Sequence, residues 1–310
     1  MVKRMRNQMS RRSALRQLAG SAAALGTVAL TSPSARTAEE APAKLKGHIH
    51  HSVSKWCYDG WLKKNNYTLD DFCKVVKEMG LESVELLSSG DWPTVKKHGL
   101  VCAMCNGPDN IGYGWNRVEH HADLIAKFTK AIPEVAEFGF PNIITFSGNR
   151  KGKDQGVAYT VDDEQGLKNC VTGLKQIVAV AEKHKVTIIL ELLNSKVNHA
   201  EYMADHTHWG VELCKQVGSE YLKLLYDIYH MQIMEGDMIR TIQENHKYLG
   251  HYHTGGNPGR NEIDDTQEIN YPAVMKAIVA TGYKGFVGQE FSPKRDPMTS
   301  LRQSIQICDV

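Results

Sequence analysis

The chain has 310 residues, 42% of them hydrophobic, and a formal net charge of +2 at pH 7. This length and composition allow a sizeable buried core, which fits one α/β barrel as well as two smaller domains. The seven cysteines are odd in number and scattered along the chain, which argues against a small scaffold held together by disulfides.

The chain begins with a segment typical of an export signal. Residues 1–38 contain seven Lys/Arg and no acidic residue, and SRRSAL at 10–15 resembles the twin-arginine type. The apolar stretch at 18–30 is shorter than the roughly 20 residues that span a bilayer. We therefore assign 1–38 to a signal peptide and 39–46 to a linker. We expect a periplasmic or otherwise extracytoplasmic protein without a stable membrane anchor.

Loss of the signal would change the charge of the protein. Without its seven basic residues, 30 Lys/Arg remain against 35 Asp/Glu, so the formal charge changes from +2 to −5. A mildly acidic domain lacks the basic surface with which nucleic-acid binders hold phosphates, so we expect no nucleic-acid partner.

After residue 46, apolar strand-like runs alternate with segments of helical periodicity. The predicted strands are 47–54, 81–87, 100–105, 142–147, 186–192, 221–227, 250–254 and 285–290. The predicted helices include 69–79, 122–138, 163–184, 208–217, 238–248 and 271–281. Eight such units predict a single (β/α)8 TIM barrel over 47–310. An open doubly wound sheet is the alternative, but no G-x-G-x-x-G follows the first strand.

Four polar residues stand at the C-terminal ends of the last four predicted strands: Glu191, Asp227, His253 and Glu290. The loops that follow the strands of a barrel converge on one mouth, so these side chains can meet although they are far apart in sequence. Three carboxylates and one imidazole suit a single divalent cation, Mn²⁺, Mg²⁺ or Zn²⁺, better than copper. The alternative, four ordinary polar residues at strand ends, is disfavoured by their occurrence on four successive strands.

Longer segments around these residues carry a family resemblance. They are ELLN at 191–194, YDIYH at 226–230, GHYHTGGNPGRNE at 250–262 and GYKGFVGQEF at 282–291. Together they resemble the xylose-isomerase-like sugar isomerase/epimerase barrels, in particular the hydroxypyruvate isomerase branch. The resemblance extends from about residue 47 to the C-terminus.

The resemblance implies roles for individual residues. Glu191 and Glu290 would both bind the metal and act as the catalytic acid/base pair, while Asp227 and His253 complete the metal ligands. His230, Arg260 and Glu262 would bind the substrate. Such chemistry needs a cation because removal of a proton next to a carbonyl creates negative charge that a Lewis acid stabilises.

The expected function is therefore metal-dependent isomerisation of a small hydroxy-carbonyl compound. His253 stands where the hydroxypyruvate isomerase branch has glutamine and the ketose 3-epimerases have histidine, so a ketose or keto-sugar 3-epimerase is the alternative. A hydrolase resembling the apurinic endonucleases is disfavoured because no Asp-x-His lies between His253 and Glu290. A non-catalytic sugar-binding barrel is disfavoured by the intact ligand set. Because barrels of this type often form dimers or tetramers, we also expect a homo-oligomer.

Overall fold

The computed structural model of the chain describes residues 44–154 and 156–310. The predicted export signal at 1–38 lies outside these residues, and the predicted linker at 39–46 lies within them only from Lys44 onward. In this described part, no helix is long and apolar enough to cross a bilayer.

The centre of the fold is a curved sheet of seven parallel strands. In chain order the strands of the protein are β1 (His50–Ser54), β2 (Ser83–Glu85), β3 (Asn142–Thr145), β4 (Lys151–Asp154), β5 (Val157–Thr160), β6 (Thr187–Leu192), β7 (Leu222–Asp227), β8 (Leu249–Thr254) and β9 (Phe286–Gln289). The sheet order is β2-β1-β9-β8-β7-β6-β3, and β4 and β5 form a separate antiparallel hairpin.

An eighth segment of the barrel wall lies between the two edge strands, β2 and β3. Val101 makes a parallel bridge to Ser83, and Cys105 makes parallel bridges to Leu87 and Ile143. The third predicted strand therefore exists as isolated bridges rather than as a continuous ladder. With this segment in place, the prediction of an α/β barrel is confirmed.

Helices surround the sheet. They are α1 (Asp59–Asn65), α2 (Leu69–Glu78), α3 (Trp92–Lys97), α4 (Val118–Glu137), α5 (Asp163–Leu174), α6 (Val178–His184), α7 (Thr207–Val217), α8 (Ile228–Met234), α9 (Met238–Asn245), α10 (Tyr271–Ala280) and α11 (Pro297–Cys308). Short 3₁₀ turns cover Lys55–Tyr58 and His246–Tyr248. The single helix predicted over 163–184 is two helices, α5 and α6.

The strand register determines which side chains point into the barrel. Ile189 and Leu225 form part of a small apolar cluster that is separate from the main core. Each precedes a predicted ligand, Glu191 or Asp227, by two residues, and residues two apart in a strand share a face. An apolar layer therefore lies directly beneath the carboxylates, at the position where barrel strands form their inner layers.

Candidate active site

The four predicted ligands meet at the C-terminal ends of β6 to β9. Ligand atoms of Glu191, Asp227, His253 and Glu290 all lie within 4.8 Å of one another. Asp227 and His253 are fully buried, and the two glutamates are at most 6% exposed. The strand ends thus bring together four residues that span 99 positions of sequence.

Arg260 supplies positive charge to this group. Its Nη2 lies 3.2 Å from Asp227 Oδ2 and 2.5 Å from Glu290 Oε2. The guanidinium packs against two aromatic rings, with its carbon 5.5 Å from the centroid of Trp56 and 5.7 Å from that of Tyr229. Trp56 also donates a hydrogen bond from Nε1 to Glu290 Oε1 at 2.8 Å. Arg260 therefore offsets part of the buried negative charge.

The two glutamates have different tendencies to ionise. Burial raises the pKa of Glu191 to about 7. Burial acts on Glu290 in the same direction, but Arg260 and His253 hold the pKa of Glu290 well below its usual range. Burial also raises the pKa of Asp227, to about 6. One glutamate that takes up a proton near neutral pH thus faces another that stays ionised, an arrangement suited to acid/base chemistry.

His253 presents Nδ1 to the carboxylates. This atom lies 2.7 Å from Glu290 Oε2 and 3.7 Å from Glu191 Oε1, yet it makes no hydrogen bond of acceptable geometry within the described residues. Burial lowers the pKa of His253, but the surrounding carboxylates, Glu290 first, raise that pKa well above its ordinary value. A cation that binds here must displace the proton from Nδ1.

These features fit a metal ion. Two glutamates, one aspartate and one imidazole nitrogen without a hydrogen bond surround a single point, and they could hold one divalent cation. Oxygen-rich sites of this kind suit Mg²⁺, Mn²⁺ or Zn²⁺. The donor set does not distinguish among the three.

His230 lies in the first turn of α8, next to these ligands. Its backbone N–H donates to Asp227 Oδ1 at 3.0 Å, and its Nδ1 accepts from the Asn194 backbone N–H at 3.1 Å. Because Nδ1 is an acceptor, Nε2 is assigned the proton. Burial lowers the pKa of His230 well below its ordinary value, so the ring is neutral. Nε2 lacks a hydrogen-bond partner in the described chain, which suits a substrate oxygen.

Glu262 is placed differently from the other predicted substrate-binding residues. Its Oε1 accepts hydrogen bonds from the backbone N–H groups of Lys294 and Arg295 and from Ser300 Oγ, each at 2.9 Å. These contacts hold the loop between β9 and α11. In the structure, Glu262 therefore stabilises this loop. Its predicted role in substrate binding stays a prediction.

Glu85, at the end of β2, is a buried residue of this region that the sequence did not reveal. Its Oε1 lies 2.9 Å from His253 Nε2, and its Oε2 lies 3.0 Å from His251 Nε2. Burial raises the pKa of Glu85, but the combined effect of His251 and His253 is larger and lowers this pKa to about 2. The predicted strand 81–87 contains two carboxylates, Glu82 and Glu85, and no local pattern indicated that Glu85 is the buried one.

Comparison with known proteins identifies the family. Residues 73–309 match the family described as Xylose isomerase-like TIM barrel. The match covers well over half of the chain, so the protein belongs to this family, and the resemblance seen in its motifs is confirmed.

Curated relatives include a hydroxypyruvate isomerase and 2-oxo-tetronate isomerases. The hydroxypyruvate isomerase of Escherichia coli (strain K12) is 33% identical over 142 residues, 45% of this chain and 53% of that protein. A 2-oxo-tetronate isomerase of Cupriavidus necator is 34% identical over 116 residues, 37% of this chain and 44% of that protein. The chain thus spans about half the length of these two relatives. A 2-oxo-tetronate isomerase of Pectobacterium atrosepticum is 24% identical over 237 residues, 73% of this chain and 87% of that protein.

Solved structures share the fold at lower identity. A family 2 AP endonuclease from Brucella melitensis superimposes with a TM-score of 0.68 at 21% identity, covering 82% of this chain and 97% of that one. A D-psicose 3-epimerase from Clostridium cellulolyticum H10 gives a TM-score of 0.67 at 18% identity, covering 84% and 100%. At such identities the likeness concerns the fold alone.

Proposed function

We propose that this protein is a metal-dependent isomerase of a small hydroxy-carbonyl compound, of the kind that hydroxypyruvate and 2-oxo-tetronate represent. One observation carries the proposal: two buried glutamates, one ionised and one with a pKa near neutrality, face each other within a four-residue ligand set. The names of the curated relatives support the substrate class.

The residues of the site would divide the reaction between them. Glu191, with its pKa near 7, would take a proton from a carbon next to the carbonyl and return it. Glu290, kept ionised by Arg260 and oriented by Trp56, would be the second acid/base residue, on the opposite side of the substrate. His230 would donate Nε2–H to a substrate oxygen. A divalent cation held by Glu191, Asp227, His253 and Glu290 would supply Lewis-acid stabilisation of negative charge on the substrate.

A 3-epimerase is the second possibility, and one residue favours it. His253 occupies the position at which the ketose 3-epimerases have histidine, and the fold resembles that of a D-psicose 3-epimerase. Both reactions begin with proton removal next to a carbonyl. They differ in the carbon, or the face of the carbon, to which the proton returns.

Proton exchange in D₂O tests the proposal and separates the two reactions. The purified protein with Mg²⁺ or Zn²⁺ is incubated with hydroxypyruvate, 2-oxo-tetronate and a panel of ketoses, and deuterium uptake is followed by NMR. We expect uptake next to the carbonyl, with Glu191→Gln and Glu290→Gln each slower by about 10²–10⁴-fold. Product analysis then distinguishes an isomer from an epimer.

The matched control is Glu82→Gln, which removes an exposed carboxylate close to the barrel without touching the ligands. This variant should exchange protons at the rate of the unaltered protein. Absence of exchange with every substrate, in protein shown to contain a bound metal, would contradict the proposed chemistry.

A further inference from the structure

A second polar cluster lies inside the barrel, on the side of His253 that faces away from the other ligands. Its members are Glu85, His251, Ser52 and Ser54, all fully buried. They belong to β2, β8 and β1, and His251 shares the inner face of β8 with His253 because the two are two residues apart. The cluster therefore contacts the proposed metal site through one imidazole ring.

The two oxygens of Glu85 have separate partners. Oε1 accepts a hydrogen bond from His253 Nε2 at 2.9 Å. Oε2 accepts one from Ser52 Oγ at 2.8 Å and lies 3.0 Å from His251 Nε2. With its carboxylate held at both ends, Glu85 has little freedom to turn away from His253.

A glycine in the neighbouring strand makes room for this carboxylate. Gly288, in β9, lies opposite His253 in the strand register. A Cβ at this position would stand 1.8 Å from Glu85 Oε1 and 2.9 Å from His253 Cδ2. Any side chain here would displace Glu85, so the sequence of β9 is adapted to the contact between Glu85 and His253.

We propose that Glu85 is a positioning residue for the metal ligand His253. By accepting a hydrogen bond from Nε2–H, it fixes the ring orientation and leaves the Nδ1 lone pair directed at Glu191, Asp227 and Glu290. Carboxylates that hold a ligating histidine in this way raise the basicity of the ligand and the affinity for metal. The proposal rests on the proposed function in that it takes the four-residue site to bind a cation.

The alternative use of the same residues is a second cation site made of Glu85, His251 and His253, whose ligand atoms also lie close together. The chemistry of His253 favours the positioning role. A neutral imidazole has one N–H and one acceptor nitrogen. If Nδ1 binds the first cation, Nε2 carries the proton and can only donate, and it lies 2.9 Å from Glu85 Oε1 in a hydrogen bond.

Metal binding by the full-length protein tests the proposal. Mn²⁺ titration by calorimetry gives affinity and stoichiometry, and the visible spectrum of bound Co²⁺ reports the ligand geometry. We expect one ion per chain, an affinity about 10–100-fold lower in Glu85→Ala, and a smaller loss in Glu85→Gln, which keeps an acceptor for Nε2. The control Glu82→Gln removes another carboxylate that contacts a histidine, His50, but is exposed.

A second variant changes no charge. Gly288→Ala should lower Mn²⁺ affinity and alter the Co²⁺ spectrum as the Glu85 variants do, because its methyl group displaces the Glu85 carboxylate. The methyl group also comes within 2.9 Å of His253 Cδ2, so the loss is assigned to the carboxylate only if Gly288→Ala has no further effect when it is added to Glu85→Ala. Its control, Gly60→Ala, adds a methyl group in open space on α1.

The outcomes separate this inference from the proposed function. If the unaltered protein binds one ion and the Glu85 and Gly288 variants are folded but bind it equally well with the same spectrum, the positioning role is wrong and the function stands. A stoichiometry of two ions, reduced to one in Glu85→Ala, would replace it by the second cation site. Failure of the unaltered protein to bind any divalent ion would overturn the metal-dependent function and the positioning role together.

Discussion

The two halves of the barrel wall differ in what they contribute to the site. Strands β6 to β9 pair along parallel ladders, with one register shift between β7 and β8, and carry all four proposed ligands at their C-terminal ends. On the other side, β2 has three residues and the segment at 101–105 makes only isolated bridges. That side contributes Glu85 and Trp56, which contact His253 and Glu290. One half thus supplies the proposed reacting groups, and the other half holds their side chains in place.

The largest effect should follow from removal of the Arg260 guanidinium, which contacts Asp227 at the end of β7 and Glu290 directly after β9. Arg260→Met leaves the buried carboxylates of Asp227 and Glu290 without their guanidinium partner. Loss of one member of a buried ion pair costs about 3–5 kcal/mol, so we expect the free energy of unfolding in EDTA to fall by that amount. Urea denaturation measures it, and added Mn²⁺ should restore part of the loss.

The control for this variant is Arg295→Met. Arg295 also contacts two carboxylates, those of Glu262 and Asp264, but its side chain is 52% exposed. An exposed pair contributes up to about 1 kcal/mol, so the two variants should differ clearly. Equal losses would mean that Arg260 does not compensate buried charge.

The second largest effect concerns the outer face of β1, away from the site. His51 is fully buried, and neither of its ring nitrogens has a hydrogen-bond partner in the part of the chain that the structure describes. Burial lowers the pKa of His51 to about 4, although Asp309 and Glu82 oppose the shift. The unfolded chain, with an ordinary pKa near 6.5, therefore binds the proton more readily.

The sign of this shift fixes the pH dependence of stability. The contribution of His51 is fully present above about pH 6.5 and is lost as the pH falls toward 4, by about 3 kcal/mol in total. His51→Leu should remove this part of the slope in urea denaturation between pH 7 and pH 4.5. His50→Leu, at the adjacent and partly exposed residue, should keep the slope. An unchanged slope in His51→Leu would show that folding does not shift the pKa of His51.

A smaller effect is expected where the supporting half contacts the catalytic half. Trp56→Phe removes the hydrogen bond from Nε1 to Glu290 Oε1 but keeps an aromatic ring beside Arg260. Hydrogen bonds to charged groups contribute about 1.5–3 kcal/mol, so kcat/KM for proton exchange should fall at least about 10-fold. Stability should change little, since Trp56 is 41% exposed. Trp61→Phe, whose ring packs on Tyr67, is the control, and equal activity in both variants would show that Glu290 does not need this donor.

The same division explains what the sequence could predict. The strands predicted at 186–192, 221–227, 250–254 and 285–290 match β6 to β9 within one residue at each end, because buried parallel strands are continuous apolar runs. The polar residue that ends each run then predicted the ligand set. Short elements were missed: α1, α3 and α8 have six or seven residues, too few to show a helical period.

Contacts between distant parts of the chain could not be predicted. Glu85 and His253 are 168 positions apart, and no local pattern indicates that a carboxylate in β2 meets an imidazole in β8. Glu262 shows that residues close in sequence can also have different surroundings. It lies two residues after Arg260 in the same motif, but it contacts the loop before α11 and its first turn. The spacing of residues in a strand predicts which face of the sheet each side chain is on. The residues that it contacts there depend on how the barrel closes, which the spacing does not predict.

The smallest predicted effect separates two roles of Asp227. Its Oδ1 accepts the backbone N–H of His230 and so caps α8, while its Oδ2 lies 3.2 Å from Arg260 Nη2 and the residue belongs to the proposed ligand set. Asp227→Asn and Asp227→Ala should both weaken Mn²⁺ binding, but only alanine loses the cap. We therefore expect Asp227→Ala to be less stable than Asp227→Asn by about 1 kcal/mol in EDTA.

The same pair of substitutions at Asp296 provides the control for this comparison. Asp296 caps α11 by accepting the Thr299 backbone N–H at 2.9 Å and lies outside the ligand set. Asp296→Ala and Asp296→Asn should show a similar difference in stability, since both caps accept one backbone N–H, and both should bind Mn²⁺ like the unaltered protein. If the alanine and asparagine variants of Asp227 are equally stable, α8 does not depend on its cap, and the position of His230 must be fixed by Asn194 instead.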